Sequence, residues 1–141
     1  MLLTRLEWLL ITGLCLLVML YFGPQIESRL YPVTAHVVIE KHEVVSPTKT
    51  RIWVSFKKER DCKFLALSWY LGNRDDRFSR SWLKFEDDDD DSAPTRPPGK
   101  QLAGPWIVGV PVDDLLKNSF ADARHQCHPL WETRTEFYTA H

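Results

Sequence analysis

Four side chains near the C-terminus, His125, Cys127, His128 and His141, are of types that ligate copper or zinc. Their spacing works against a shared ion. On an extended chain His125 and Cys127 project from one face and His128 from the other, so the set cannot converge without a bulge. A metal-binding module using His125, His128 and His141 is therefore the lesser reading. The run from Glu86 to Asp91 is six consecutive acids. Calcium takes carboxylate oxygens, but its loops space the ligands and turn on a glycine. An unbroken acidic run leading into prolines has the pattern of a solvated, self-repelling loop. No nucleophile elbow, HExxH, glycine-rich phosphate loop or CxxC occurs. His36 and His42 fall on or near an early strand with no nucleophile placed to meet them. The residue types predict a chain that is not an enzyme and carries no cofactor.

Three cysteines bear on compartment. Cys15 lies in an apolar stretch and reads as a small apolar residue. Cys62 and Cys127 form an even pair in one small domain, which in an oxidising compartment predicts a disulfide. Closing so long a loop is worth about 4 kcal/mol in the chain-entropy model. The strand pattern below puts these cysteines at the start of a third strand and the end of a sixth, expected on facing strands of opposite sheets. A disulfide would remove Cys127 from any metal set.

The compartment depends on residues 8–22, WLLITGLCLLVMLYF, which carry no charge. The uncharged stretch extends to residue 26 and as a helix covers roughly 28 Å, just enough for a hydrocarbon core of about 30 Å. Trp8 and Tyr21 sit near its ends, where amphipathic rings favour the lipid interface. A cleaved signal peptide is the rival, but cleavage near Gly23 would place Tyr21 where a small residue is required. A lipoprotein cut before Cys15 meets Leu14 in the same way. Residues 1–25 thus read as an uncleaved anchor, inserted in lipid by residues 8–23. The bias of basic groups favours a cytoplasmic N-terminus and a translocated remainder.

Residues 26–33 read as a connector, with Pro24 and Pro32 disfavouring a helix that continues into the domain. Residues 34–141 then show short β-rich stretches. Residues 34–40 are rich in β-branched types. Residues 51–57 alternate, with Ile52, Val54 and Phe56 on one face. Residues 62–71 are apolar on both faces and predict a central strand. Residues 81–86 alternate again, and 105–111 resume strand character. Residues 112–120 hold one helical turn with Asp113 at its N-cap. Two strands, 121–128 and 133–138, close the chain around Pro129-Leu130-Trp131. Residues 86–100 form a long acidic and proline-rich loop. About seven strands without βαβ alternation predict a mainly β domain, an antiparallel immunoglobulin-like sandwich behind a transmembrane helix. A barrel of similar strand number is the alternative.

With 18 Lys+Arg against 19 Asp+Glu the chain has a formal net charge of −1. That balance provides no basic excess to attract nucleic acid. Trp69 belongs in the core, whereas Trp53, Trp82, Trp106 and Trp131 cannot all share one interior face. Those four are the candidates for an exposed protein-contact surface.

The run Gly104-Pro105-Trp106 resembles uncharacterised small single-span membrane proteins of tailed phages and proteobacterial prophages. So do Cys127-His128-Pro129-Leu130-Trp131 with Thr133, Thr135, Phe137 and Tyr138, and Cys62-Lys63-Phe64 with the anchor. The resemblance implies an inner-membrane protein with a periplasmic domain, and carries no functional residue across. The expected role is a membrane-anchored, extracytoplasmic protein that contacts an envelope or phage protein. A periplasmic metal-binding module, or an accessory to phage lysis or superinfection exclusion, is the alternative.

Overall fold

The computed structural model describes residues 4–86 and 95–140. Its first element is helix α1, Arg5–Leu30. Thr4 and Glu7 close a capping box: the Thr4 hydroxyl accepts from the Glu7 amide at 3.4 Å, and the Glu7 carboxylate accepts from the Thr4 amide at 2.6 Å. No residue of α1 is buried, although apolar side chains surround it. This is the one helix among the described residues that is long and apolar enough to cross a membrane. The expected break at Pro24 does not occur, and α1 continues to Leu30. Proline removes one intrahelical hydrogen bond, but contacts with the domain hold the turns that follow.

Among the described residues eight strands form two antiparallel sheets. They are β1 (Val38–Ser46), β2 (Lys49–Lys58), β3 (Lys63–Gly72), β4 (Phe78–Ser81), β5 (Leu83–Phe85), β6 (Gly99–Val108), β7 (Ser119–Gln126) and β8 (Thr133–Thr139). One sheet has the order β1-β2-β6-β5 and the other β4-β3-β7-β8. This is the strand order of an immunoglobulin-type sandwich, with β4 added beside β3. The segment before β1 bonds to both sheets: the Ala35 amide donates to the Lys57 carbonyl at 2.8 Å and the Val37 amide to the Phe137 carbonyl at 3.0 Å.

The core lies between the sheets. Ile52, Val54, Trp69, Trp106, Val108, Phe137 and Tyr138 fill it, with Leu115 from the short helix α2 (Val112–Lys117). Trp69 on β3 donates from its indole to Ser119 Oγ at 3.1 Å, and the Ser119 hydroxyl donates to the Leu115 carbonyl at 2.7 Å. Tyr138 donates to the same carbonyl at 3.1 Å. Buried polar atoms at the α2 corner are thereby satisfied. The N-cap of α2 is Pro111, without a side-chain bond; Asp113 lies inside the first turn, where its charge suits the helix dipole.

Three strand expectations change. The alternation over 81–86 conceals a change of sheet: β4 pairs with β3, β5 pairs with β6, and Trp82 is the crossing residue. β6 begins at Gly99 rather than at 105. The cysteines sit not on facing sheets but on neighbours within one sheet. Lys63 pairs with Gln126, and Cys62 and Cys127 extend that ladder by one step, bonded with Cα atoms 4.5 Å apart. That separation is typical of a non-hydrogen-bonded antiparallel pair.

Candidate functional site

One end of the sandwich collects the end of β2, the starts of β3, β6 and β8, and the end of β7. The C-terminal turns of α1 meet the domain at this end. Glu27, on the last turns of α1, is the centre of the junction. Its carboxylate accepts from Trp131 Nε1 at 2.6 Å and from Arg60 Nη2 at 2.8 Å, and lies 3.1 Å from His128 Nε2. Arg60 also donates through Nη1 to the Tyr31 carbonyl at 3.0 Å, holding the exit of the helix. The imidazole of His128 stands edge-on to the Trp131 indole, with centroids 4.4 Å apart.

These partners come from two loops, residues 59–62 and 127–132, and the Cys62–Cys127 bond joins those loops. Arg60 is two residues from one cysteine and His128 is next to the other. The disulfide therefore acts on the donor geometry around Glu27 as well as on the unfolded chain. Burial by itself would raise the Glu27 carboxyl. Hydrogen bonds from Trp131, Arg60, His128 and Thr133 outweigh that and bring it down to about 2. Gly23, one turn earlier, lets the indole approach: a Cβ there would lie 2.6 Å from the Trp131 ring.

The metal candidates are dispersed. Cys127 is in the disulfide, His128 is on Glu27, and His141 lies outside the described residues. His125 is buried on β7, 3% exposed. Burial and then the nearby Lys58 charge push its imidazole down to about 4. It lines a cavity of about 30 Å³ with Thr34, Lys58, Phe64, Trp106 and Phe137. Among the described residues Thr34 Oγ1 and His125 Nδ1 have no hydrogen-bond partner, while Lys58 donates to the Cys62 carbonyl at 2.8 Å. A cavity of that size has room for one or two waters. Among the described residues no three His, Cys, Asp or Glu side chains cluster as metal ligands. Of the acidic run only Glu86 is described, and it accepts from Arg51 Nε at 2.9 Å.

The tryptophans do not make one surface. Trp106 is 2% exposed and belongs to the core, because a bulge at Gly104-Pro105 shifts the phase of β6: Ile52 pairs with Trp106 and Val54 with Ala103. Trp53 lies on the outer face of its sheet under Lys41 Nζ, 4.5 Å from the ring. Trp82 is exposed at the end away from α1, beside Lys49 Nζ at 5.1 Å. Trp131 belongs to the junction. On the outer face of the other sheet Asp122 is held by Arg74 and Arg134. Beside it Tyr70 stacks on Phe120 with centroids 4.8 Å apart.

Glu27, Arg60 and Gly23 escaped the sequence reading. A lone acid after an apolar span carries no periodic signal, and its partners lie more than thirty positions away. No protein family, curated protein or solved structure matches the chain.

Proposed function

We propose that the chain is a membrane-anchored interaction module, without catalysis, that presents its sandwich in a fixed attitude outside the cytoplasm to an envelope or phage protein. The observation that carries this reading is the clamp on Glu27. A helix apolar enough to span lipid passes into the domain without a flexible joint, and a stapled pair of loops grips it where its charge-free stretch ends. A tethered catalyst or carrier has no need of such a joint, whereas a module that must meet its partner in one orientation does. The aromatic and cationic groups at Trp82–Lys49 and Trp53–Lys41, away from the clamp, are the contact candidates. The metal reading has less support, because Cys127 and His128 are already engaged.

Two measurements test the proposal. An alkaline phosphatase fusion after residue 40 should be active in a bacterial host, and the full chain should resist carbonate extraction; the reverse pattern overturns the anchored, translocated reading. A photo-crosslinking residue at position 82 or 53 should trap a discrete protein adduct in cells. Absence of adducts at both sites overturns the interaction role.

A further inference from the structure

The turn between β7 and β8 lies beside the end of the apolar helix, and its side chains are arranged as an interfacial residue would be. Trp131 runs along α1: its indole N–H reaches Glu27, and its benzo edge lies against Gly23. Those positions are one helical turn apart, about 6 Å. Glu27 is the first charge after the uncharged stretch, and Gly23 is within that stretch. The ring therefore points its polar end away from the apolar span and its hydrocarbon end toward it. That is the orientation of tryptophan at a lipid–water boundary. Gly23 is two residues, about 3 Å, beyond Tyr21, so Trp131 joins the aromatic layer that the helix begins. Leu130 beside it is 58% exposed. An exposed leucine is unremarkable on a soluble surface, but this one is at the level where the helix leaves lipid.

We propose that this turn is a second membrane contact, with Leu130 and Trp131 seated in the interfacial layer of the bilayer next to the anchor. The proposal rests on the reading of α1 as a membrane span. Its consequence is a domain held with the disulfide end against the lipid and the Trp82 end directed outward. The helix and the turn then form two attachment points, fixing inclination as well as depth.

Nitroxide labels on the full-length chain in phosphatidylcholine vesicles test this. One label uses the native Cys15. A second uses Leu130→Cys and a third Thr48→Cys, each combined with Cys15→Ser, with mass spectrometry verifying that Cys62 and Cys127 remain bonded. Relaxation by oxygen, which partitions into lipid, is compared with relaxation by a water-soluble nickel chelate. The expected result is a Cys15 label deep in hydrocarbon, a label at 130 favouring oxygen several-fold over the chelate, and a label at 48 favouring the chelate. A deep Cys15 label with an aqueous label at 130 overturns the second contact and leaves the anchor standing. An aqueous Cys15 label overturns both. A label at 130 shielded from both relaxers indicates a protein covering the turn and also overturns the proposal.

Discussion

The indole of Trp131 and the α-carbon of Gly23 are packed so closely that even a methyl group on the glycine would meet the ring, at 2.6 Å. The ring cannot simply swing aside, because its N–H is bonded to Glu27 at 2.6 Å. Alanine in a helix interior is ordinarily favoured over glycine by about 1 kcal/mol. Gly23→Ala is nevertheless expected to weaken the junction, and Gly23→Val to open it. Amide hydrogen exchange over residues 27–33 reads this directly, and protection should fall in the order wild type, alanine, valine. Unchanged or increased protection would contradict the packing.

Glu27→Gln retains an acceptor for the indole but loses the charge that Arg60 pairs with. The carboxyl is held near 2 in the folded chain against an ordinary 4.5. Its contribution is therefore complete above about pH 4.5 and is lost as pH falls toward 2, amounting to about 3 kcal/mol. Melting temperatures from pH 5 to pH 2 should fall more steeply for the wild type than for the glutamine variant.

His125 titrates in a different window. Buried and neutral, it is held near 4 against an ordinary 6.5, so the unfolded chain takes up the proton first. Stability should fall between about pH 6.5 and pH 4 by about 3 kcal/mol and then level with respect to this group. His125→Phe, similar in volume and without a proton to gain, should flatten that part of the profile. Equal slopes for the two proteins would place His125 in contact with water.

Replacing Cys62 or Cys127 by alanine should destabilise by about 2–5 kcal/mol, and the double replacement should be no worse than either single one. Because the bond staples the loops that hold Glu27, Cys62→Ala and Glu27→Gln should be non-additive, each costing less in the presence of the other. Strict additivity would mean that the loops hold their geometry without the disulfide.

The long apolar N-terminal helix, the mainly β class, the two-layer arrangement and the cysteine pair were legible in the chain, since an uncharged apolar run, period-two alternation and an even cysteine count are local signals. What escaped was set by partners distant in sequence. The cysteines could be paired by count, but a 65-residue separation does not say whether their strands face or adjoin. Trp106 could not be assigned to a face because Gly104 interrupts the alternation. Its φ is +114° and a Cβ there would lie 2.7 Å from the Ile52 carbonyl oxygen, so the bulge requires glycine. Pro24 signalled an end to the helix that Glu27, anchored on Arg60, Trp131 and His128, overrides.

If α1 spans a bilayer as proposed, its unbroken passage into the domain also makes bilayer thickness a mechanical input. A charge-free stretch of nineteen residues is marginal for a thick membrane, and a mismatched helix responds by changing its tilt or by deforming the lipid around it. A swivel would absorb such a change, whereas a clamped domain must lean with its helix. A sandwich with ten-residue strands stands roughly 33 Å tall, so a lean of about 10° would carry its far end sideways by about 6 Å, several times the tolerance of a hydrogen-bonded interface. A chain anchored in this way would meet its partner in bilayers of one thickness and miss it in others, with no ligand and no change within the domain itself.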